Sequence, residues 1–295
     1  MKLLDYLQRK LIYRPRRERL ISVAQTDFDQ ELSSDISLRT EDNLRLNGWH
    51  LRSAHACREE DNWSDTHPTR PKVVLFFAGN SSNRQRRIHQ FQIYLDLGLD
   101  VVCFDYRGYG DNPGRPTEEA IACDVHACWK YVTENLHYQP DEVLLCGQSL
   151  GGAIAVRLAA ELCEKEIIPG GLILCSTFTS LKEAAQALYP RLPINKLLVE
   201  SYNSRERIGQ VVCPLIFFHG AQDDIVSLKL GQELYREAES FSATGVPKRF
   251  VELPEANHNN FALVEREIYQ GSLRHFIYNL VPPPDSATLL VLNEQ

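Results

Sequence analysis

Six short apolar runs, each about the length of one β-strand, recur along this chain of 295 residues. They are VVLFFAG (73–79), VVCFD (101–105), EVLLCG (142–147), GLILCS (171–176), PLIFFHG (214–220) and KRFVELP (248–254). Continuous β-branched and aromatic runs are typical of strands buried on both faces of a parallel sheet. Helical patterns lie between or after them, at 83–98, 117–136, 150–164, 227–241 and 261–279. This alternation predicts an α/β fold, a doubly wound and mostly parallel sheet with helices on both faces.

The regions outside this alternation indicate how the chain is divided. Residues 28–53 alternate apolar and polar positions around a turn, which predicts an antiparallel hairpin. Residues 178–213 hold two prolines and no clear strand pattern, and we expect a small helical cap there, over the carboxyl edge of the sheet. The expected units are a basic amphipathic helix and linker (1–27), one domain that includes the cap (28–282) and a C-terminal tail (283–295).

The charge is unevenly distributed along the chain. The formal net charge of −7 argues against nucleic acid as the main partner. Residues 1–19 instead hold seven basic and two acidic residues, and their apolar residues are spaced as on one face of a helix. Such a helix either packs on its own domain, followed by a solvated basic linker, or makes weak peripheral contact with an anionic membrane surface. No run resembles a membrane span or a signal peptide, so we expect a cytoplasmic protein, with any membrane contact at the inner face.

The eight cysteines do not form an evident disulfide or metal pattern. Several lie in or beside the apolar runs, where a free thiol behaves as a small apolar group, and we expect reduced thiols. The segment CDVHAC holds Cys123, His126 and Cys128. At ~100° per residue, a helix points these three side chains apart, so we expect no metal site there.

One serine stands between glycines directly after an apolar run, in Gly147-Gln148-Ser149-Leu150-Gly151. A G-x-S-x-G at a strand-to-helix turn forces the serine outward, because small neighbours let the turn close. A strand pattern precedes this serine and an Ala-rich helix pattern follows it. Ligands of open α/β sheets bind beyond the carboxyl ends of the strands. Ser149 is therefore a candidate nucleophile, and the alternative is a helix N-terminus that uses Gly and Ser only to turn the chain.

A serine nucleophile needs a base and an acid that orients this base. In proteins that carry a nucleophile on such a turn, the acid and then the histidine follow the serine along the chain. The run at 214–220 leads into GAQDDIV, where Asp223 and Asp224 are both candidates for the acid. The run at 248–254 leads into EANHNNF, where His258 is the candidate base. Each candidate lies just past the end of a predicted strand.

Two backbone N–H groups are candidates for stabilising an oxyanion. One belongs to Leu150, which follows the serine, and the other belongs to Asn80 in the loop AGNSSN after the first run. Arg84, Arg86 and Arg87 come next in the chain. We expect these arginines to be solvated, although they could also attract an anionic substrate or surface.

Together these segments resemble the α/β-hydrolase superfamily, and are most similar to a branch of small-cap serine hydrolases that includes protein depalmitoylases. The motifs AGNSSN, FDYRGYGDNPGRPTEE and CGQSLGG carry the resemblance, and HGAQDDIV and ANHNNF extend it over about residues 30–280. The resemblance implies an α/β-hydrolase fold of about eight strands. It implies Ser149 as nucleophile, Asp223 rather than Asp224 as acid, and His258 as base.

The resemblance also implies roles for two loops beside the serine. The N–H groups of Leu150 and Asn80 would form the oxyanion hole, and Asp105, Arg107 and Tyr109 would be structural ties of their loop. Relatives usually have His-Gly-Asn where this chain has Ala-Gly-Asn (78–80). Because the donor is a backbone N–H, we expect it to survive this difference, whereas loop packing and substrate preference are expected to change.

The implied activity is hydrolysis of a carboxylic ester or thioester, in a small-molecule or acylated substrate, through an acyl-enzyme and with no metal or other cofactor. A serine peptidase and an acyltransferase on the same residues are alternatives, as is a binding protein without catalysis. A cap of 36 residues leaves little room to select peptide termini. The sequence predicts neither the acyl chain length nor the oligomeric state.

Overall fold

A computed structural model describes residues 12–19, 21–54, 71–81 and 83–280, so the predicted features at residues 1–11 and 283–295 lie outside it. The strands are β1 Ser33–Arg39, β2 Arg45–Leu51, β3 Val73–Phe77, β4 Asp100–Phe104, β5 Val143–Gln148, β6 Gly171–Cys175, β7 Leu215–Gly220 and β8 Arg249–Leu253. The α-helices are α1 Ile88–Asp96, α2 Glu118–Lys130, α3 Leu150–Cys163, α4 Leu181–Leu188, α5 Ile194–Leu197, α6 Arg205–Ile208, α7 Leu228–Glu237, α8 Phe261–Val264 and α9 Arg266–Tyr278.

The eight strands form one sheet in the order β1-β2-β4-β3-β5-β6-β7-β8. The pairs β1–β2 and β2–β4 are antiparallel and all the others are parallel. The predicted α/β-hydrolase fold, with its mostly parallel sheet of about eight strands, is confirmed. Strands β3, β5, β6 and β7 are buried along their whole length, which explains why the sequence shows them as continuous apolar runs.

Apolar side chains cover both faces of the sheet. Because successive residues of a strand point to opposite faces, Leu75 and Leu145 belong to one layer, which also contains Ile154 of α3. Phe76 and Cys146 belong to the other layer, beneath α1 and α9. The described cysteines all carry free thiols, and no group of metal-ligating side chains occurs within the described ranges. None of the helices that the structure describes is long and apolar enough to span a bilayer.

Residues 178–213 fold into the short helices α4, α5 and α6 between β6 and β7. The Ser180 side chain caps α4 by accepting a hydrogen bond from the N–H of Glu183. Three apolar side chains at the end of α4 and just after it are exposed to 44–53%. They are Leu188, Tyr189 and Leu192. Apolar side chains of this size are therefore open to solvent on this segment.

The expectation that Arg84 is solvated is wrong, since this side chain is only 2% exposed. Its guanidinium forms ion pairs with Asp105 and Asp111, which follow β4, and donates a hydrogen bond to the carbonyl of Ile21. The guanidinium carbon also lies 5.4 Å from the centre of the Trp49 ring. A nearby cation stabilises a buried ionised carboxylate, and Arg84 is that cation for Asp105 and Asp111. Arg86, by contrast, is exposed as expected.

Candidate active site

Ser149 lies at the turn between β5 and α3 in a strained backbone conformation, with φ 54° and ψ −119°. Such a conformation costs a residue other than glycine about 1–3 kcal/mol, so the surroundings must hold it in place. Its N–H donates to the Cys175 carbonyl at 2.9 Å, and the Thr177 hydroxyl donates to the Ser149 carbonyl at 2.9 Å. A Cβ on Gly151 would overlap the carbonyl oxygen of Phe77, so the turn can pack this closely on β3 only with glycine there.

Asp223 is buried just past β7, whereas Asp224 is exposed. One carboxylate oxygen of Asp223 accepts the N–H groups of Ile225 and Val226 at 2.9 and 2.8 Å. The other lies 2.7 Å from His258 Nδ1. Burial alone would raise the pKa of Asp223, but the hydrogen bonds from two histidines outweigh it and hold this pKa well below its usual range. Asp223 is therefore an ionised carboxylate.

His258 is buried in the loop that follows β8. Because an ionised carboxylate can only accept, His258 Nδ1 carries the proton that it shares with Asp223. This tautomer leaves Nε2, on the other edge of the ring, as a proton acceptor. The Gln148 side chain donates to the His258 carbonyl at 3.2 Å. Since Gln148 directly precedes Ser149, this bond ties the histidine loop to the serine turn.

His219 is a second buried histidine beside Asp223, in a contact that the sequence pattern did not predict. Its Nε2 lies 2.8 Å from the Val226 carbonyl, which only accepts, so this nitrogen carries a proton. The same nitrogen lies 3.5 Å from Asp223 Oδ2. A signal for this residue was present in the sequence, because a histidine inside the apolar strand LIFFHG is a buried polar group that requires partners.

One candidate oxyanion donor directly follows the serine in the chain, and the other belongs to a distant loop that packs beside it. Leu150 is the first residue of α3, so its N–H has no acceptor within the helix. The loop that follows β3 lies beside the serine. A Cβ added to Gly79 in this loop would lie 3.9 Å from Ser149 Oγ. Tyr106 and Tyr109 donate to the carbonyls of Ala78 and Asn80 at 2.9 Å each and hold this loop.

The loop after β4 is held by ion pairs, as the resemblance implied. Arg107 donates hydrogen bonds from its Nε and Nη2 atoms to the buried Asp124 on α2. It also forms an ion pair with Asp42 in the hairpin turn. Together with the Arg84–Asp105 pair, these contacts fix the loop that carries Tyr106 and Tyr109. The described residues thus include a constrained serine and a histidine that contacts a buried carboxylate, which are groups of the kind that carry out nucleophilic attack on a carbonyl group.

Comparisons with known proteins extend this picture. Residues 68–200 match the family described as serine aminopeptidase, S33. An uncharacterised protein of Mycobacterium tuberculosis is 34% identical over 270 residues, 92% of this chain and 87% of that protein. Lysophosphatidylserine lipase ABHD12 of Danio rerio is 28% identical over 239 residues, 72% of this chain and 61% of that lipase.

Two solved structures show the same fold. An esterase of Pyrococcus furiosus matches with a TM-score of 0.68 and 21% identity, over 92% of this chain and 98% of that one. An α/β hydrolase of Vibrio vulnificus matches with a TM-score of 0.69 and 18% identity, over 93% and 94%. The chain belongs to the α/β-hydrolase superfamily, and the proteins similar to it include esterases and a lipase.

Proposed function

We propose that this hydrolase cleaves carboxylic ester or thioester bonds by a serine mechanism, with Ser149 as nucleophile, His258 as base and Asp223 as the orienting acid. The observation that carries the proposal is the 2.7 Å contact between His258 Nδ1 and Asp223 Oδ2, in a loop tied to the serine turn by Gln148. This contact leaves His258 Nε2 free to accept a proton.

The chemical steps follow from these atoms. His258 Nε2 takes the proton of Ser149 Oγ while this oxygen attacks the acyl carbon, and the carbonyl electron pair moves onto the carbonyl oxygen. When the carbonyl re-forms, the alcohol or thiol leaves and takes the proton from the imidazolium. A water molecule then attacks the acyl-enzyme, gives its proton to His258 and releases the acid. The Ser149 oxygen recovers the proton as it leaves.

Charge develops at two places in these steps. The N–H groups of Leu150 and Asn80 would donate to the oxyanion, where removal of one such donor typically costs about 3 kcal/mol of transition-state stabilisation. Asp223 stabilises the imidazolium without taking its proton, because its pKa is held below the usual range. These groups supply the reaction with an acceptor for each proton and a donor for each negative charge.

Ester and thioester substrates are favoured over peptides by two observations. The segment between β6 and β7 that would form the cap holds only the short helices α4, α5 and α6. The similar proteins also include a lysophosphatidylserine lipase and an esterase. The match to a serine aminopeptidase family makes the peptidase the alternative to test.

A substrate panel tests the proposal. It contains p-nitrophenyl esters and acyl thioesters of graded chain length, lysophosphatidylserine, aminoacyl p-nitroanilides and an added acceptor alcohol. Wild type is expected to hydrolyse esters or thioesters, and Ser149→Ala is expected to lower kcat by about 10⁴-fold or more. Ser227→Ala, at an exposed serine before α7, is the matched control and is expected to keep wild-type activity.

Other outcomes of this panel contradict the proposal. Turnover of the anilides alone would identify a peptidase, and transfer to the alcohol in preference to water would identify an acyltransferase. No turnover by wild type, or full activity in Ser149→Ala, would overturn the serine mechanism itself.

We also propose that residues 1–19 and the exposed end of α4 contact an anionic membrane surface. The side chains of Arg16 and Arg19 are exposed, as are Leu188 and Leu192. Exposed apolar side chains and exposed cations are the two features that bind a protein to anionic lipid headgroups.

Vesicle sedimentation tests this contact. Binding to vesicles with phosphatidylserine is expected to exceed binding to neutral vesicles and to weaken in high salt. Arg16→Glu with Arg19→Glu is expected to abolish the difference, whereas Arg236→Glu with Arg274→Glu makes the same charge change at exposed sites elsewhere and is expected to preserve it. Equal binding to both vesicle types, or equal effects of the two double variants, would contradict the membrane contact.

A further inference from the structure

Asn80 is held by the N-terminal segment of the chain. Its carbonyl accepts hydrogen bonds from the N–H of Arg14 at 3.1 Å and from the Tyr109 hydroxyl at 2.9 Å. Its side-chain amide donates to the carbonyl of Ile12 at 2.7 Å. Two of the three groups on Asn80 that can hydrogen-bond are thus engaged. Within the described residues its backbone N–H makes no hydrogen bond.

The segment that holds Asn80 is itself anchored on both sides. Tyr13, which lies between Ile12 and Arg14 in the chain, is 3% exposed. Its hydroxyl lies 2.7 Å from that of the buried Tyr202. The two rings meet edge to face, 6.4 Å apart. Further along, Arg17 donates to the carbonyls of Gly108 and Gly114 at 3.1 and 3.2 Å. A segment anchored in this way can hold a neighbouring loop in one position.

The bond geometry at the Asn80 Cα relates these contacts to the position of the candidate oxyanion donor. Three groups leave that carbon besides hydrogen: the backbone nitrogen, the carbonyl carbon and the side chain. Tyr109 and Arg14 fix the carbonyl, and Ile12 fixes the side chain. Because the carbon is tetrahedral, fixing the directions of the carbonyl carbon and of the side chain also fixes the direction of the bond to the backbone nitrogen. The position of the nitrogen that carries the candidate oxyanion donor is therefore set by residues outside the loop.

We propose that Ile12 and Arg14 are positioning residues for catalysis, which act through their backbone on the Asn80 N–H of the oxyanion hole. This inference rests on the proposed serine mechanism. It makes residues 12–14 part of the catalytic machinery through their backbone contacts with Asn80. The effect is expected in transition-state binding, because an oxyanion donor acts mainly on the charge that develops there.

The test removes the hydrogen bond to Arg14 and the hydrogen bond to Ile12 separately. Arg14→Pro removes the N–H that donates to the Asn80 carbonyl, and Asn80→Ala removes the amide that donates to Ile12. Glu41→Pro is the control: it introduces proline at an exposed residue of the turn between β1 and β2, whose N–H makes no hydrogen bond in the described part of the chain. Titration with a fluorophosphonate counts the competent sites in every preparation, so a partly unfolded variant is not mistaken for a slow one.

The readouts are kcat and KM for the best ester and Ki for a trifluoromethyl ketone. The ketone carbon bonds reversibly to Ser149 Oγ, and its oxygen becomes an oxyanion in the same position as that of the transition state. In Arg14→Pro and Asn80→Ala, kcat per competent site is expected to fall about 10- to 100-fold, with KM within about twofold. Ki is expected to rise by the factor by which kcat/KM falls, and the two effects are expected to be less than additive in the double variant.

Two failures can be told apart. If the fluorophosphonate does not label wild type, the serine mechanism fails and this inference fails with it. If wild type is labelled but both variants keep the kcat and Ki of Glu41→Pro, the serine mechanism stands and the positioning role is overturned. A rise in KM with unchanged kcat and Ki also overturns it, since this would show a role in substrate binding alone.

Discussion

His258 Nδ1 lies 2.7 Å from Asp223 Oδ2, while the neighbouring Asp224 is exposed to solvent. The chain thus places two carboxylates side by side and buries only one of them against the histidine. The buried carboxylate has its other oxygen filled by two backbone N–H groups, so that its orientation is fixed. This asymmetry is the basis for the first two predictions.

Replacing Asp223 by Asn is expected to lower kcat by about 10⁴-fold, because an amide there favours the wrong tautomer of the base. Asp224→Asn changes the adjacent, exposed carboxylate and is expected to retain kcat within about twofold. Steady-state kinetics on one ester compares the two variants. Similar losses in both, or the larger loss in Asp224→Asn, would show that the acid has been misassigned.

The contribution of Asp223 to stability is expected to depend on pH in a defined direction. Its folded pKa lies below the unfolded value of about 3.9. A carboxyl of this kind stabilises the fold above its unfolded pKa, and this stabilisation is lost as the pH falls through the folded pKa. The difference in unfolding free energy between wild type and Asp223→Asn should therefore shrink below about pH 4. Urea unfolding at fixed pH values measures it, and a difference that grows toward low pH would contradict the assigned shift.

His219 is expected to support Asp223, since it lies near the same carboxylate oxygen as His258. His219→Leu removes the donor to the Val226 carbonyl and leaves a buried acceptor unsatisfied, which costs about 1–3 kcal/mol of unfolding free energy. It also removes a donor that lowers the pKa of Asp223, so kcat is expected to fall as well. His219→Gln keeps a side-chain N–H donor and is expected to recover part of both losses. Wild-type stability and kcat in the Leu variant would show that the contact is unimportant.

The buried arginine is expected to be a structural requirement. Arg84→Leu leaves Asp105 and Asp111 without their cation, and breaking a buried pair in this way costs about 3–5 kcal/mol. Arg86→Leu makes the same exchange at an exposed position and should change stability by less than about 0.5 kcal/mol. Thermal and urea unfolding compare the two variants, and equal stabilities would contradict the role of Arg84.

The sheet and the order of the site residues could be predicted because both depend on local pattern. A strand buried on both faces must be apolar throughout, so β3, β5, β6 and β7 are visible as runs, and the loops that follow them lie at one edge. The choice between Asp223 and Asp224 could not be made from spacing alone. Adjacent residues of a loop differ in burial only once the turn after β7 is formed, and it was the family resemblance that favoured Asp223.

Contacts between distant parts of the chain were not predictable. Arg84 looks like a surface residue because its partners, Asp105 and Asp111, lie more than twenty positions away in another loop. The hydrogen bond from the Asn80 side chain to the Ile12 carbonyl joins positions that are 68 residues apart. Neither pairing has a periodic signature, because each depends on how two irregular segments approach each other after the sheet has formed.

The most direct measurement of the central claim is fluorophosphonate labelling of the purified protein, followed by peptide mapping of the adduct. The account predicts one adduct per chain on Ser149, none in Ser149→Ala, and much slower labelling in His258→Ala, because the serine then has no base. Absence of labelling, or an adduct at another residue that persists in Ser149→Ala, would contradict it.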